Sequence, residues 1–320
     1  MPLRIRRILV PVADGTAKRV TRRAGELARK SRAKVELFSV IRPDSSALGL
    51  RHAMLVQLDR AIADSRQREL EKLAGILRKQ GVEVLCTVVT GDSLTESITR
   101  RLKQAPADLV AIEAHRHHLY ARWFLLHSDF DLIRHCPVPL LIVKGSRRAS
   151  RRPILAAIDP WHQNDKPASL DGRIVDAARS MAELESAPLH SAHAYLPLMG
   201  FVAGSAYAPA AVPISVPDEA AQIAAIRRRF KALNTTYRIP PRHAHLELGN
   251  PTFILPAVAR RIKAQLVVMG AIARSALDRF LLGSTAEQVL DALPCDVLIV
   301  KPKHARAGAR SRARTSRRAR

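Results

Sequence analysis

Aromatic side chains make up only 4% of this 320-residue chain, and that scarcity removes one class of function. Readers of single-stranded RNA stack bases on aromatic platforms, so an RRM or cold-shock module does not fit. Cysteine is also sparse: Cys86, Cys136 and Cys295 are odd in number, widely spaced and form no CxxC pair. That pattern argues against a disulfide framework or zinc knuckle and predicts a reducing, cytoplasmic setting. Long hydrophobic runs are missing. The basic start (Arg4, Arg6, Arg7) leads into the short apolar run Ile8 to Val12 and then Asp14, too brief for an export signal. The longest uncharged stretch, 195–217 between Tyr195 and Pro217, is broken by Pro197, Gly200, Gly204, Pro209 and Pro213. It reads as an apolar loop, not a transmembrane helix.

Acidic residues are outnumbered, 28 against 53 Lys and Arg, for a net charge of +25. Part of the excess lies in the last residues, 304–320, where Arg306, Arg310, Arg312, Arg314, Arg317, Arg318 and Arg320 have no acidic neighbour. Such a segment has too little apolar surface to offset its ordering entropy and is expected to be a disordered tail. It would attract polyanions without reading their sequence.

What is present is a repeated globular pattern. The hydrophobic fraction of 47% supports real cores, and this length suits two domains of roughly 150 residues each. Residues 108–144 and 265–301 align without a gap: Leu109-Val110 over Leu266-Val267, Pro137 over Pro294, and Leu141-Ile142-Val143-Lys144 over Leu298-Ile299-Val300-Lys301. A repeat of this length means duplicated domains. They are expected at 1–146 and 151–303, with a short basic link between. Apolar runs predict strands at 8–12, 34–41, 82–90, 108–113 and 138–143, and again at 154–158, 188–194, 243–248, 265–270 and 296–300. Helical stretches fall between them, at 17–32, 53–80, 94–104, 169–186, 217–232 and 252–263. Strands alternating with helices predict an α/β chain of two tandem doubly wound parallel five-stranded sheets, Rossmann-like, with right-handed crossovers.

Several ordered motifs then resemble the universal stress protein family, whose fold is akin to the adenine nucleotide alpha hydrolases. Ile154-Leu155-Ala156-Ala157-Ile158-Asp159 resembles its first strand with a terminal aspartate. Gly249-Asn250-Pro251 resembles its Gly-x-Pro turn, with Gly91-Asp92 in the same place in the first half. Val267-Val268-Met269-Gly270, Gly283-Ser284-Thr285-Ala286-Glu287 and Pro294-Cys295-Asp296-Val297 follow in the family's order. The tandem layout, with Ala114-His115-Arg116-His117 and Leu132-Ile133-Arg134-His135-Cys136-Pro137, is similar to E-type members. The resemblance implies that strands 138–143 and 297–300 pair antiparallel, an intramolecular pseudo-dimer, with homodimers between chains left open.

The resemblance also implies a nucleotide site. Binding members carry Gly, two residues, Gly, nine residues, then Gly-Ser or Gly-Thr, so that backbone amides approach phosphates before a helix N-terminus. The second half has Gly270, then Ala273 at the central position, then Gly283-Ser284-Thr285, with Arg274 and Ser275 offering charge and a hydroxyl. If the central position needs positive φ, alanine costs about 1 kcal/mol, so binding of ATP or another adenine nucleotide is expected to be weak. In the first half the same positions are Glu113, Arg116, Leu126 and His127, and a carboxylate there repels phosphates. Asp159 stands either as an adenine or ribose contact or as a strand-end turn residue. Ser284 stands either at a phosphate site or as the start of a capping box with Glu287.

Other constellations are plainer. His115, His117, His118, His127, His135 and Cys136 read as a solvated histidine-rich loop rather than a zinc set, which needs four converging ligands. Cys86 falls in an apolar strand and reads as core. No Walker A sequence, Gly-x-Ser-x-Gly elbow or His-Glu-x-x-His helix is present. The expected function is a non-catalytic regulatory binding module in the stress response, with at most slow ATP hydrolysis. The alternatives are an apolar ligand or protein partner near Tyr195 to Pro217, or nucleic-acid association through the tail.

Overall fold

A computed structural model describes residues 2–12, 17–42, 52–116, 123–124, 127–145, 151–160, 169–196, 219–271 and 284–302. The first half runs β1 (Arg7–Pro11), α1 (Lys18–Ser31), β2 (Lys34–Ile41), α2 (His52–Arg78), β3 (Val84–Thr90), α3 (Leu94–Gln104) and β4 (Leu109–Glu113). It continues through β5 (His115–Arg116), β6 (Trp123–Phe124), α4 (His127–His135) and β7 (Leu140–Val143). The second half repeats the plan with β8 (Ile154–Ala157), α5 (Ser169–Glu185), β9 (Leu189–Tyr195), α6 (Glu219–Thr236) and a 3-10 turn at Pro241–His243. It ends with β10 (Ala244–Leu248), α7 (Pro251–Arg261), β11 (Leu266–Gly270), α8 (Ser284–Ala292) and β12 (Asp296–Val300).

The strands form one sheet of ten, in the order β10-β9-β8-β11-β12-β7-β4-β1-β2-β3. Each half contributes five parallel strands, and the halves meet at an antiparallel seam: Val297 opposite Ile142, Leu298 opposite Leu141, Ile299 opposite Leu140. The expected pairing of the last strands is therefore present. A central strand buried on both faces reads as a near-continuous apolar run. β7 and β12 are buried throughout.

Side chains of successive strand residues point to opposite faces, so each strand feeds two apolar layers. Ile8 and Val10 join the layer under α1, α2, α5 and α6. Leu9 joins the layer under α3, α4, α7 and α8. Both layers run across the seam. α1 shows how the sequence places its face: Val20, Ala24, Leu27 and Ala28 recur at helical spacing and are buried. The helix closes on Arg32 in the left-handed region at φ 56, and α5 closes in the same way on Ser186 at φ 50.

The repeated Ile-Val-Lys ending gains a reason at the seam. Lys144, after β7, donates from Nζ to the carbonyls of Leu290 and Leu293 at the C-terminal end of α8 in the other half. Lys301, after β12, returns the contact to Arg134 O (2.9 Å) and Cys136 O (2.5 Å) at the end of α4. Each terminal lysine thus caps the last helix of the opposite repeat, where carbonyls lack intrahelical partners. Burial pushes both lysines down to about 8. A second polar cluster ties α1 to α5 and β12. Buried Arg23 meets Glu185 at 2.5 Å and Asp296 at 3.5 Å, and Glu185 also takes Lys30.

One expectation needs correction. His115 lies in a short strand, not a loop, and pairs with Phe124 across β5 and β6. His117 and His118, the stretch from Pro197 to Pro217, and the tail 304–320 lie outside the described residues. Among the described residues no helix is long and apolar enough to cross a membrane.

Candidate functional site

Doubly wound sheets open their ligand crevice at the carboxyl ends of the strands. In the second half that end is built by β8 and β11, neighbours whose register runs Leu266 to Ile154 through Val268 to Ala156. Asp159 stands just beyond β8, and Gly270 closes β11. The amide of Asp159 donates to Asp171 Oδ1 at 3.0 Å, which fixes the strand exit against the first turn of α5. Its carboxylate Oδ1 is buried and has no hydrogen-bond partner. His193 of β9 stands nearby, its Nδ1 4.0 Å away and 3.1 Å from the carbonyl of Ile158. Leaving a buried acceptor unmet costs about 1–3 kcal/mol, so this oxygen is set up to receive a donor.

Gly270 lets β11 and α5 approach closely. A Cβ there would lie 2.8 Å from Leu170 Cδ2 and 3.1 Å from Ile174 Cδ1, on α5. Ser284 and Thr285 are the first two residues of α8, described by their backbone alone. They carry N-terminal amides of the helix, which have no intrahelical partner. Ala273, Arg274, Ser275 and Gly283 lie outside the described residues. The Gly-Asn-Pro turn builds the neighbouring wall. Gly249 adopts φ +140 and donates its amide to Tyr195 O, Asn250 caps α7 by accepting from Thr252 N at 2.9 Å, and Pro251 is the first helical residue.

The first half is built differently at the matching point. Glu113, opposite Gly270 in the repeat, accepts from the amides of Arg19 and Val20 at 3.0 Å each. Its other oxygen takes Arg19 Nε at 2.6 Å. A fixed carboxylate therefore occupies the N-terminus of α1 and satisfies two of its amides. A phosphate approaching that point meets a like charge. The crevice beside it, about 420 Å³, is walled by Val12, Val40, Ile41, Ile62 and Leu94, with Arg42 and Arg66 at its rim. Asp14 and Leu126 lie outside the described residues.

Sequence reasoning missed His193 and Asp171, and a signal existed for the first. His193 is buried in β9, and a buried polar residue there needs partners. The thiols are poor nucleophiles. Burial pushes Cys86 up to about 11 and Cys295 up to about 12, and it raises Cys136 as well. His135 turns back on its own helix, with Nδ1 2.9 Å from Asp131 O. Among the described residues, no three His, Cys, Asp or Glu side chains converge as a metal site.

Two stretches of the chain, residues 4–144 and 150–301, match the model of the universal stress protein family. The chain belongs to the universal stress protein family. Among curated relatives it is similar to universal stress protein E of Salmonella typhi, 27% identical over 274 residues, covering 83% of this chain and 81% of the relative. Universal stress protein E of Escherichia coli K12 is 28% identical over 229 residues, or 69% of each chain. Among solved structures, PA1789 of Pseudomonas aeruginosa PAO1, described as functionally unknown, superposes with a TM-score of 0.70 at 26% identity over 93% of both chains. A universal stress protein of Archaeoglobus fulgidus shares the fold at a TM-score of 0.65 and 17% identity, over 92% of this chain and 98% of that one.

Proposed function

We propose that this universal stress protein is a non-catalytic regulatory module of the stress response that holds an adenine nucleotide, such as ATP, in its second half alone. The observation that carries the reading is the buried, unpartnered Oδ1 of Asp159 at the mouth of the β8–β11 crevice. A ribose hydroxyl or adenine amine would supply the missing donor. The backbone between Gly270 and Ser284, feeding the N-terminus of α8, would take the phosphates, with Arg274 and Ser275 beside them. Ala273 weakens that cradle. In the first half the position matching Gly270 is Glu113, whose carboxylate is held by the α1 amides of Arg19 and Val20 and repels phosphates, so this reading puts no nucleotide there. The two domains span 1–146 and 151–303, and the protein works in the cytoplasm. Mass spectrometry of small molecules released from the purified, denatured protein tests this. An adenine nucleotide supports the reading; its absence even after incubation with ATP refutes it.

One observation favours a second reading, an apolar ligand or protein partner at the same mouth. Leu248 and Phe253 flank the Gly249-Asn250-Pro251 turn and are 59% and 74% exposed. They stand beside the point where the apolar stretch after Tyr195 leaves β9. A lipid-like molecule in the released fraction would select this reading.

A further inference from the structure

The first residues of the chain run along α5 of the second half, where Leu3 donates its amide to Ser180 Oγ at 3.0 Å. Between this strap and the seam lies a cleft of about 830 Å³. Arg4, Arg6 and Arg173 line it, and Leu3, Val138 and Pro139 give it apolar walls. The guanidinium of Arg173 is half-buried, and its Nη1 is fully enclosed without a hydrogen-bond partner. The acidic residue on the wall, Asp108, accepts from the amides of Arg6 and Arg7 at its Oδ2, at 2.8 and 3.0 Å.

The repeat shows what Arg173 lacks. Counting back equally from the left-handed residues Arg32 and Ser186 places Arg19 opposite Arg173. Arg19 holds the carboxylate of Glu113 at 2.6 Å, whereas the position matching Glu113 in the second half is Gly270. The second half has kept the arginine and lost its internal anion. An enclosed guanidinium N–H without an acceptor is costly to leave unmet. Arginine forks suit planar and tetrahedral oxyanions, which they grip by two parallel hydrogen bonds.

We propose that this cleft, distinct from the β8–β11 crevice, binds a phosphate monoester with a compact apolar body, its phosphate held by Arg173 with Arg4 and Arg6. Phenyl phosphate is the probe, titrated calorimetrically into the full chain at constant ionic strength, with inorganic phosphate as the anion-only arm. Phenyl phosphate is expected to bind more tightly than inorganic phosphate. Arg173→Met is expected to weaken it by about tenfold or more, the cost of losing a charge-assisted hydrogen bond. Asp159→Ala should leave it unchanged. Without ligand, Arg173→Met should melt at or above the wild-type temperature, because it removes an unmet buried group. The proposal is overturned if wild type does not bind phenyl phosphate, or if Arg173→Met binds it equally well. It is also overturned if Asp159→Ala abolishes binding, or if Arg173→Met melts lower, which would make Arg173 a structural residue.

Discussion

Lys144→Met cuts one of the two reciprocal caps while keeping most of the buried stem. Lys144 is 1% exposed, and its Nζ is shared between Leu290 O and Leu293 O. Stranding two buried acceptors costs about 1–3 kcal/mol each. Losing a cation from a helix C-terminus adds about 0.3–1 kcal/mol. Relief of the ammonium's desolvation returns part of this. The net expected loss is about 2–4 kcal/mol, a large share of the roughly 5–15 kcal/mol that holds a domain folded. Urea unfolding gives the total, and amide hydrogen exchange gives the location. Because the cap is exchanged between repeats, a substitution after β7 should lower protection at the end of α8, in the other half. Lys301→Met should do the reverse and loosen the end of α4. If Lys144→Met costs less than about 0.5 kcal/mol, the range of a neutral surface change, or leaves α8 protection intact, the capping argument fails.

Three further predictions follow from other parts of the fold. Glu113→Ala strands the amides of Arg19 and Val20 and should destabilise the chain by about 2–3 kcal/mol in urea unfolding without creating a second nucleotide site. The second prediction concerns His190 and His245, which pack at the sheet edge with His190 Nδ1 2.9 Å from His245 Nε2 and His243 stacked on His190. Glu247 and Arg261 flank them. Burial, with His243 and His245 adding to it, pushes His190 down to about 4, and burial also lowers His245. The folded state therefore favours neutral rings, so stability is full above about pH 6.5 and drains as pH falls toward 4. Thermal melts across that range should show the loss, and His190→Gln should flatten it; an unchanged slope counts against the pairing. The third concerns the tail: deleting residues 304–320 should reduce duplex DNA binding and its salt dependence, read by titration at several salt concentrations, with the melting temperature unmoved. Sequence-selective binding that survives the deletion would place recognition in the folded halves.

Much of the sheet was legible because fully buried parallel strands are apolar runs. The stretches 34–41, 94–104 and 296–300 coincide with β2, α3 and β12. Where bounds differ, local chemistry explains it. The run 138–143 predicts a strand from Val138, but β7 starts at Leu140, since Pro139 has no amide to offer a ladder. The run 82–90 begins too early because Val82 donates its amide to Leu77 O and belongs to the exit of α2. The helix predicted over 217–232 continues to Thr236 although Asn234, Thr235 and Thr236 are poor helix formers. Asn234 is buried there, accepting from Ser191 Oγ at 2.5 Å and donating to Phe230 O, and tertiary contact overrides propensity. The β5–β6 pair was not legible, because two-residue strands carry no period.

At the site, Asp159 and Gly270 were visible as motif positions, but the state of the Asp159 carboxylate was not. Its surroundings come from β9 and α5: His193 Nδ1 stops 4.0 Å short of it, and Asp171 holds the Asp159 amide rather than the carboxylate. The sealing of the first half was half visible. Glu113 could be read as a repelling charge, while its bonds to Arg19 and Val20 join residues more than ninety positions apart. The exchanged lysines were in plain view as a repeated sequence ending, and only the antiparallel seam reveals whose helix each one caps.

The claim that the two halves have parted roles is tested most directly by calorimetric titration of ATP into the full chain. The account predicts a single weak site per chain, lost in Asp159→Ala, tightened in Ala273→Gly by restored backbone freedom, and unaltered in number by Glu113→Gln. Two equivalent sites per chain, or one that survives Asp159→Ala, would contradict it.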